Sequence, residues 1–380
     1  MTTGRFEPTP PPRPSVPPMP TASPVPPVPS AAPGAGRRRR GWAWFGVFLL
    51  LVGAPTGWYF GGGYERWQDG RALRGLCRGA VDTAEVRELL DGAGRLNGED
   101  FERRSDRSVC LVRAPDRHGT LMIRIGRAPL SAVESLQALR RDYLGEREGT
   151  PVVPVGAGWA GVLSAGPTSE DEGLIVLALA CTGTQYPDRL VVELTANPTA
   201  AHDGPQDDFA SAEQRARLGR IAGRIAARAD RIWKCGAPLG GRIEHLPGRA
   251  DVKVVPRGST EGTCVGIPGP VREAPTDPTA PIEDCTVLLP DGKSRALRLL
   301  AYYPPFAGAG LSTAGVSSTG LRGRAGREGA KSWAFASCPG GEAVFLSYQD
   351  EQTAVTARDA LAGFARASAA RHGCAAPVLP

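Results

Sequence analysis

The chain's eight cysteines, Cys77, Cys110, Cys181, Cys235, Cys264, Cys285, Cys338 and Cys374, all follow a single hydrophobic segment, Trp42 to Phe60, and none precedes it. Disulfides persist in oxidising exterior spaces and are rare in the cytosol, so this one-sided distribution constrains compartment and covalent framework together. The segment carries no charged residue, and its 19 residues at a helical rise of about 1.5 Å give roughly 28 Å, close to the hydrocarbon thickness of a bilayer. Trp42, Trp44, Trp58 and Tyr59 stand near its ends, where amphipathic rings favour the headgroup layer.

Arg37, Arg38, Arg39 and Arg40 precede the segment, against the mixed Glu65, Arg66, Asp69 and Arg71 after it. By the positive-inside rule the N-terminus is expected in the cytoplasm and the C-terminal region outside, with the lipid bilayer as a partner. The competing reading is a cleaved secretory signal ending at Val52-Gly53-Ala54. Pro55 follows that site directly and makes it a poor substrate, and both readings export the same region. There is no cysteine at the mouth of the apolar run, so a lipid-anchored form is not indicated.

Residues 1–36 are dominated by proline, with almost no large apolar side chain, and are expected to be a disordered cytoplasmic tail with polyproline II character. The organisation expected is that tail, a basic flank and transmembrane helix over 37–63, a linker over 64–76, and extracytoplasmic modules over 77–238 and 239–380. The net charge of +6 comes from arginine, with lysine only at Lys234, Lys253, Lys293 and Lys331. Those arginines are scattered opposite Asp and Glu instead of gathering on one face between aromatics, which argues against a nucleic-acid partner.

Self-comparison is the richest signal in the exterior region. Cys110-Leu111-Val112-Arg113-Ala114-Pro115-Asp116 recurs as Cys285-Thr286-Val287-Leu288-Leu289-Pro290-Asp291, each ahead of a strand-like run, Thr120 to Ile125 and Ala296 to Tyr302. An apolar strand then ends at the third cysteine of each copy, Leu174 to Cys181 and Trp333 to Cys338, and another follows at Leu190 to Thr195 and Ala343 to Tyr348. Each copy closes with an amphipathic helix ending at Cys235-Gly236-Ala237-Pro238 or Cys374-Ala375-Ala376-Pro377. Leu218, Ile221, Ile225 and Ile232 share one face of the first; Val355, Leu361 and Phe364 make a weaker stripe on the second. Asp82 to Glu85 and Ser131 to Glu134 are capping boxes that open helices over Thr83 to Leu90 and Ala132 to Leu144. The expected fold class is α+β: two tandem modules of antiparallel strands with helices on one face, arising by duplication.

Bridges confined within copies allow three pairings per copy. The favoured set is Cys110 with Cys181 and Cys285 with Cys338, joining strands, and Cys77 with Cys235 and Cys264 with Cys374, tying ends. Sequential pairing, such as Cys77 with Cys110, is the rival. The order from Cys77-Arg78-Gly79-Ala80-Val81-Asp82 through a cysteine on a strand, the glycine-rich turn Gly156 to Trp159, a third cysteine and a final helix resembles actinobacterial lipoprotein-like domains of unknown function. More loosely it is similar to the extracytoplasmic sensor domains of actinobacterial receptor kinases. That resemblance implies an envelope-facing ligand or sensor module without established chemistry; the membrane helix in place of a lipidated cysteine is a departure.

No catalytic, cofactor or metal site is nominated. Gly156-Ala157-Gly158-Trp159-Ala160-Gly161 matches a dinucleotide pattern formally, but Val162-Leu163-Ser164 continues as a strand where a helix is required. His118, His202, His245 and His372 lack ligand spacing and read as surface loop residues, and neither Ser164 nor Ser312 sits in a nucleophile elbow. Asp203, Asp207 and Asp208 read as carboxylates attracted to a helix N-terminus. Arg322, Arg324, Arg327 and Lys331 lie in the glycine-rich stretch Gly308 to Gly329, which reads as a solvated loop; Tyr302, Tyr303 and Phe306 read as core. The expected function is non-catalytic binding or sensing of an unknown envelope ligand or protein partner. The alternatives are an anchored enzyme and a scaffold acting through the proline-rich tail.

Overall fold

Alternating apolar runs build two antiparallel sheets. The computed structural model describes residues 63–90, 95–117, 119–143, 152–165, 173–183, 189–197, 211–314, 324–349 and 357–380. The proline-rich tail, Arg37 to Arg40, the apolar segment with Trp42, Trp44, Trp58 and Tyr59, and also His118, His202, Asp203, Asp207, Asp208, Arg322 and Val355, lie outside the described residues. No helix among the described residues is long and apolar enough to cross a membrane.

The first sheet comprises β1 (Asn97–Arg103), β2 (Arg107–Ala114), β3 (Gly119–Arg127), β4 (Val153–Gly156), β5 (Trp159–Ala165), β6 (Gly173–Ala180) and β7 (Arg189–Asn197), in the order β1-β2-β3-β7-β6-β5-β4. The second comprises β8 (Lys253–Val255), β9 (Val271–Glu273), β10 (Ile282–Leu288), β11 (Arg295–Tyr302), β12 (Ala325–Glu328), β13 (Lys331–Cys338) and β14 (Gly341–Gln349), in the order β12-β13-β14-β11-β10-β9-β8. Laid on one another with Cys110 over Cys285, six strands of each sheet coincide in order: β1, β2, β3, β7, β6 and β5 match β9, β10, β11, β14, β13 and β12. The first sheet adds β4 at one edge and the second adds β8 at the other. Cys110 pairs across to Ile123, and Cys285 pairs across to Leu299.

The helices are α1 (Gly63–Leu73), α2 (Thr83–Leu89), α3 (Leu130–Tyr143), α4 (Ala212–Trp233), α5 (Phe306–Thr313) and α6 (Ala357–Arg371). Asp82 stands at the N-cap of α2, as read from the sequence, but it accepts from the Ala84 amide and Glu85 pairs with Arg224, so the reciprocal bonds of a capping box are not those formed. Leu218, Ile221 and Ile225 bury on α4, and Leu361 and Phe364 bury on α6. Each long helix covers the outer face of its own sheet. The inner faces need cover too: Val162, Leu174, Val176 and Val191 from the first sheet share one core with Leu300, Trp333, Val344 and Leu346 from the second, with α3 and α5 between them. Helices therefore lie on both faces of each sheet. The expectation of a single helical face fails because those inner strands are apolar on both sides. All described residues belong to one compact unit.

All eight cysteines are bonded, Cys77–Cys110, Cys181–Cys235, Cys264–Cys285 and Cys338–Cys374. The favoured pairing is thus overturned in favour of the sequential one. Cys110 lies on β2 and Cys181 just past β6, with β3 and β7 intervening. Three interstrand steps of about 4.8 Å put them roughly 14 Å apart, beyond the ~7 Å that a disulfide spans. Cys285 on β10 and Cys338 on β13 are separated by β11 and β14 in the same way. Each bridge instead joins a strand to the segment that packs directly on it.

Candidate functional site

A groove of about 300 Å³ opens on the outer face of the first sheet, lined by Trp159, Gly223, Arg220, Arg224, Arg242 and Ile243 among others. Its floor begins at the β4–β5 turn, where Gly156, Ala157 and Gly158 all take positive φ, 72°, 53° and 78°. That left-handed run reverses the chain tightly and leaves Trp159 against α4. The formal dinucleotide motif is therefore a β-hairpin turn. Trp159 is held through side chain and backbone: the indole Nε1 donates to the Gly241 carbonyl at 2.8 Å, and the Trp159 backbone carbonyl accepts from the Thr279 hydroxyl at 3.0 Å.

Glycine lets the backbone approach the indole closely. A Cβ on Gly240 would stand 2.4 Å from the ring and one on Gly223 3.3 Å from it. With Ile243 the nearly buried indole forms the apolar part of the groove lining.

Three guanidinium groups rim the groove. Arg220 and Arg224 are one turn apart on α4 and so share a face, and Arg242 comes from the segment after the helix. Each is balanced by a carboxylate: Arg220 with Glu213 at 3.1 Å, Arg224 with Glu85 at 2.8 Å, and Arg242 with Glu244 at 3.6 Å. The Arg224 and Arg242 side chains are 51% and 72% exposed, so these pairs are weak and can exchange partners. Rigid forks of this kind match carboxylate and phosphate geometry. What the arrangement can do is hold a small anion against an indole-floored surface.

The second sheet carries a buried polar cluster where the first has its groove helix. Glu283 on β10 accepts from Arg371 Nη2 at 2.8 Å, from the Ser368 hydroxyl at 2.7 Å and pairs with His372 Nε2 at 3.0 Å. Tyr303 bonds Ser368 at 2.6 Å and stacks on the His372 ring with centroids 3.7 Å apart. Burial alone would raise the Glu283 carboxyl, but the His372 and Arg371 hydrogen bonds and charges outweigh it and hold the group below its ordinary range. Burial lowers Arg371, yet bonding to Glu283 wins and raises it. Burial and then the Glu283 charge push the Tyr303 phenol well up.

His372 is accordingly no surface residue, since its side chain is 6% exposed; periodicity cannot reveal a contact made across 89 positions. His245 is exposed as expected. In this cluster the carboxylate stands between the serine and the imidazole. An activated nucleophile needs the imidazole against the hydroxyl, so the geometry suits a structural clamp.

Cys77, Asp100 and Cys110 come within metal-ligand range of one another. The two sulfurs are spent on each other, and Asp100 accepts from the Cys77 amide at 2.9 Å. Tyr302, Tyr303 and Phe306 are all buried, as read from the sequence. Ser164 is buried on β5 and Ser312 donates back to the Gly308 carbonyl within α5. Arg324 pairs with Glu342 at 2.6 Å, Arg327 lies on β12 and Lys331 Nζ donates to the Ala314 carbonyl at 2.6 Å. The stretch read as a loop thus contains a helix and a strand.

The groove was missed for a different reason. Arg220 and Arg224 are legible as a helix face, but the approach of Trp159 and Arg242 to that face is tertiary. No protein-family model, no curated protein and no solved structure matches the chain.

Proposed function

We propose that this is a single-pass membrane protein whose region beyond Phe60 faces an oxidising extracytoplasmic space and binds, without catalysis, a small anionic envelope component. The carrying observation is the groove: an apolar indole-and-glycine floor rimmed by Arg220, Arg224 and Arg242 in a cavity of about 300 Å³. Its size suits a single acidic sugar or a similar flat acid more than a long polymer. The charge asymmetry around the apolar segment, the pairing of all eight cysteines and the resemblance to envelope lipoprotein-like domains support the placement. The shared strand order of the two sheets supports an origin by tandem duplication.

Calorimetric titration of the full chain in nanodiscs with acidic sugars, and with neutral sugars of the same ring size, tests the reading. Acidic sugars are expected to bind and neutral ones to stay flat. Arg224→Gln with Arg242→Gln is expected to weaken binding by about tenfold or more, from the loss of charge-assisted hydrogen bonds. Equal binding of neutral and acidic sugars, or flat titrations with every acid, would set the proposal aside.

A further inference from the structure

Helix α1 follows the apolar segment directly, starting three residues after Phe60. Its inward face is fastened to the first module: Asp69 is buried, accepts from the Leu96 amide at 3.0 Å and pairs with Arg87, while Leu73 is fully buried. The opposite stripe runs Tyr64, Trp67 and Arg71, a three- and four-residue spacing that puts all three on one face, and Arg74 follows in the turn just past the helix. Tyr64 and Trp67 are 37% and 49% exposed and stack with centroids 6.1 Å apart, and the Arg71 guanidinium lies over the Trp67 ring at 5.6 Å. Arg74, beyond the end of the stripe, is exposed.

Helix surfaces that face water alone seldom expose two large aromatics beside two arginines. That composition suits the headgroup layer, where amphipathic rings and snorkelling cations both find partners.

We infer that the Tyr64–Trp67–Arg71 face of α1, with Arg74 in the turn just beyond it, is a docking surface for the anionic lipid headgroups of the membrane in which residues 42–60 sit. The inference rests on the reading of that segment as a membrane span. A span ending at Phe60 leaves two residues before Gly63, at most about 10 Å of extended chain between the two, so the stripe starts within reach of the interface. Because Asp69 and Leu73 fasten the same helix to the module, docking would fix how the groove-bearing region stands on the bilayer, which a free linker over 64–76 would not.

The test places a photo-crosslinking amino acid at position 67, at position 254 as an exposed control, or at position 50 within the apolar segment. The full chain is reconstituted in nanodiscs of phosphatidylcholine with and without phosphatidylglycerol. Lipid adducts are expected at 50 and 67 and not at 254, with phosphatidylglycerol favoured at 67. Arg71→Gln and Arg74→Gln should each reduce that preference by about fivefold. Adducts at 50 without adducts at 67, or adducts at 67 only to protein, overturn the docking surface alone. Their loss at both positions overturns the membrane span together with it.

Discussion

Glu283 is the residue on which the second module's outer helix turns. It sits on β10 and holds three side chains from α6 and its exit, Ser368, Arg371 and His372. Its folded-state pKa is below the unfolded value of about 4.3 because charged and hydrogen-bonding partners outweigh burial. A depressed carboxylate contributes stability that is complete above the unfolded pKa and is lost as pH falls through the folded one. Glu283→Gln is therefore expected to cost about 3 kcal/mol near neutral pH, with the deficit narrowing on acidification below about pH 4. Thermal melts of both proteins from pH 7 to pH 3 read this directly, and a deficit independent of pH would show that the charge is not what holds the helix. None of this clamp was legible in the chain, because Glu283 and His372 are brought together only by packing α6 across its sheet.

Among the elements, α5 departs furthest from expectation. Gly308-Ala309-Gly310, the start of the stretch from Gly308 to Gly329, reads as loop, and glycine disfavours helix by about 1 kcal/mol per residue relative to alanine. Tertiary contact overrides that preference: the Tyr302 ring lies where a Cβ on Gly310 would be, at 2.4 Å, whereas nothing lies within 4 Å of a Cβ on Gly308. The two glycines should respond oppositely to the same change. Gly308→Ala is expected to stabilise by up to about 1 kcal/mol through propensity, and Gly310→Ala to destabilise by about 1–3 kcal/mol through overpacking. Denaturant midpoints measure both, and equal shifts would place α5 away from Tyr302. The central strands of each sheet, α2 and the two long helices were legible because their apolar spacing is regular, whereas α3 begins at Leu130 and so holds Ser131 inside it, not at its cap. The edge strand β1 was not, since nearly all of its residues are exposed.

At the scale of the whole molecule, the inner core joins the two sheets through α3 and α5, and Arg189 Nη2 donates to the Gly340 carbonyl at 2.6 Å across the modules. Phe306 is fully buried in that core. Phe306→Ala is expected to cost about 3–5 kcal/mol and to lower the unfolding of both sheets together, since both lose the same buried contact. Calorimetry should keep a single transition; two resolved transitions would mean that the modules fold independently. The four bridges add about 2–4 kcal/mol each by restricting the unfolded chain. A non-reducing peptide map is expected to recover Cys77 with Cys110 and Cys338 with Cys374, and a Cys110–Cys181 peptide would contradict the strand order.

The sequence by itself determined the local and periodic features: the α+β class, most strands, the capped helices, the repeated cysteine spacing and the division of charge about the apolar segment. These depend on neighbours a few positions apart, so spacing suffices to read them. Only the tertiary structure decided which cysteines meet, that helices cover both faces of each sheet, and that Trp159 lies beneath Arg220, Arg224 and Arg242. Such contacts join residues tens of positions apart, and they are set by strand order and the twin requirement that both faces of an apolar sheet be covered, which no short window of the chain records.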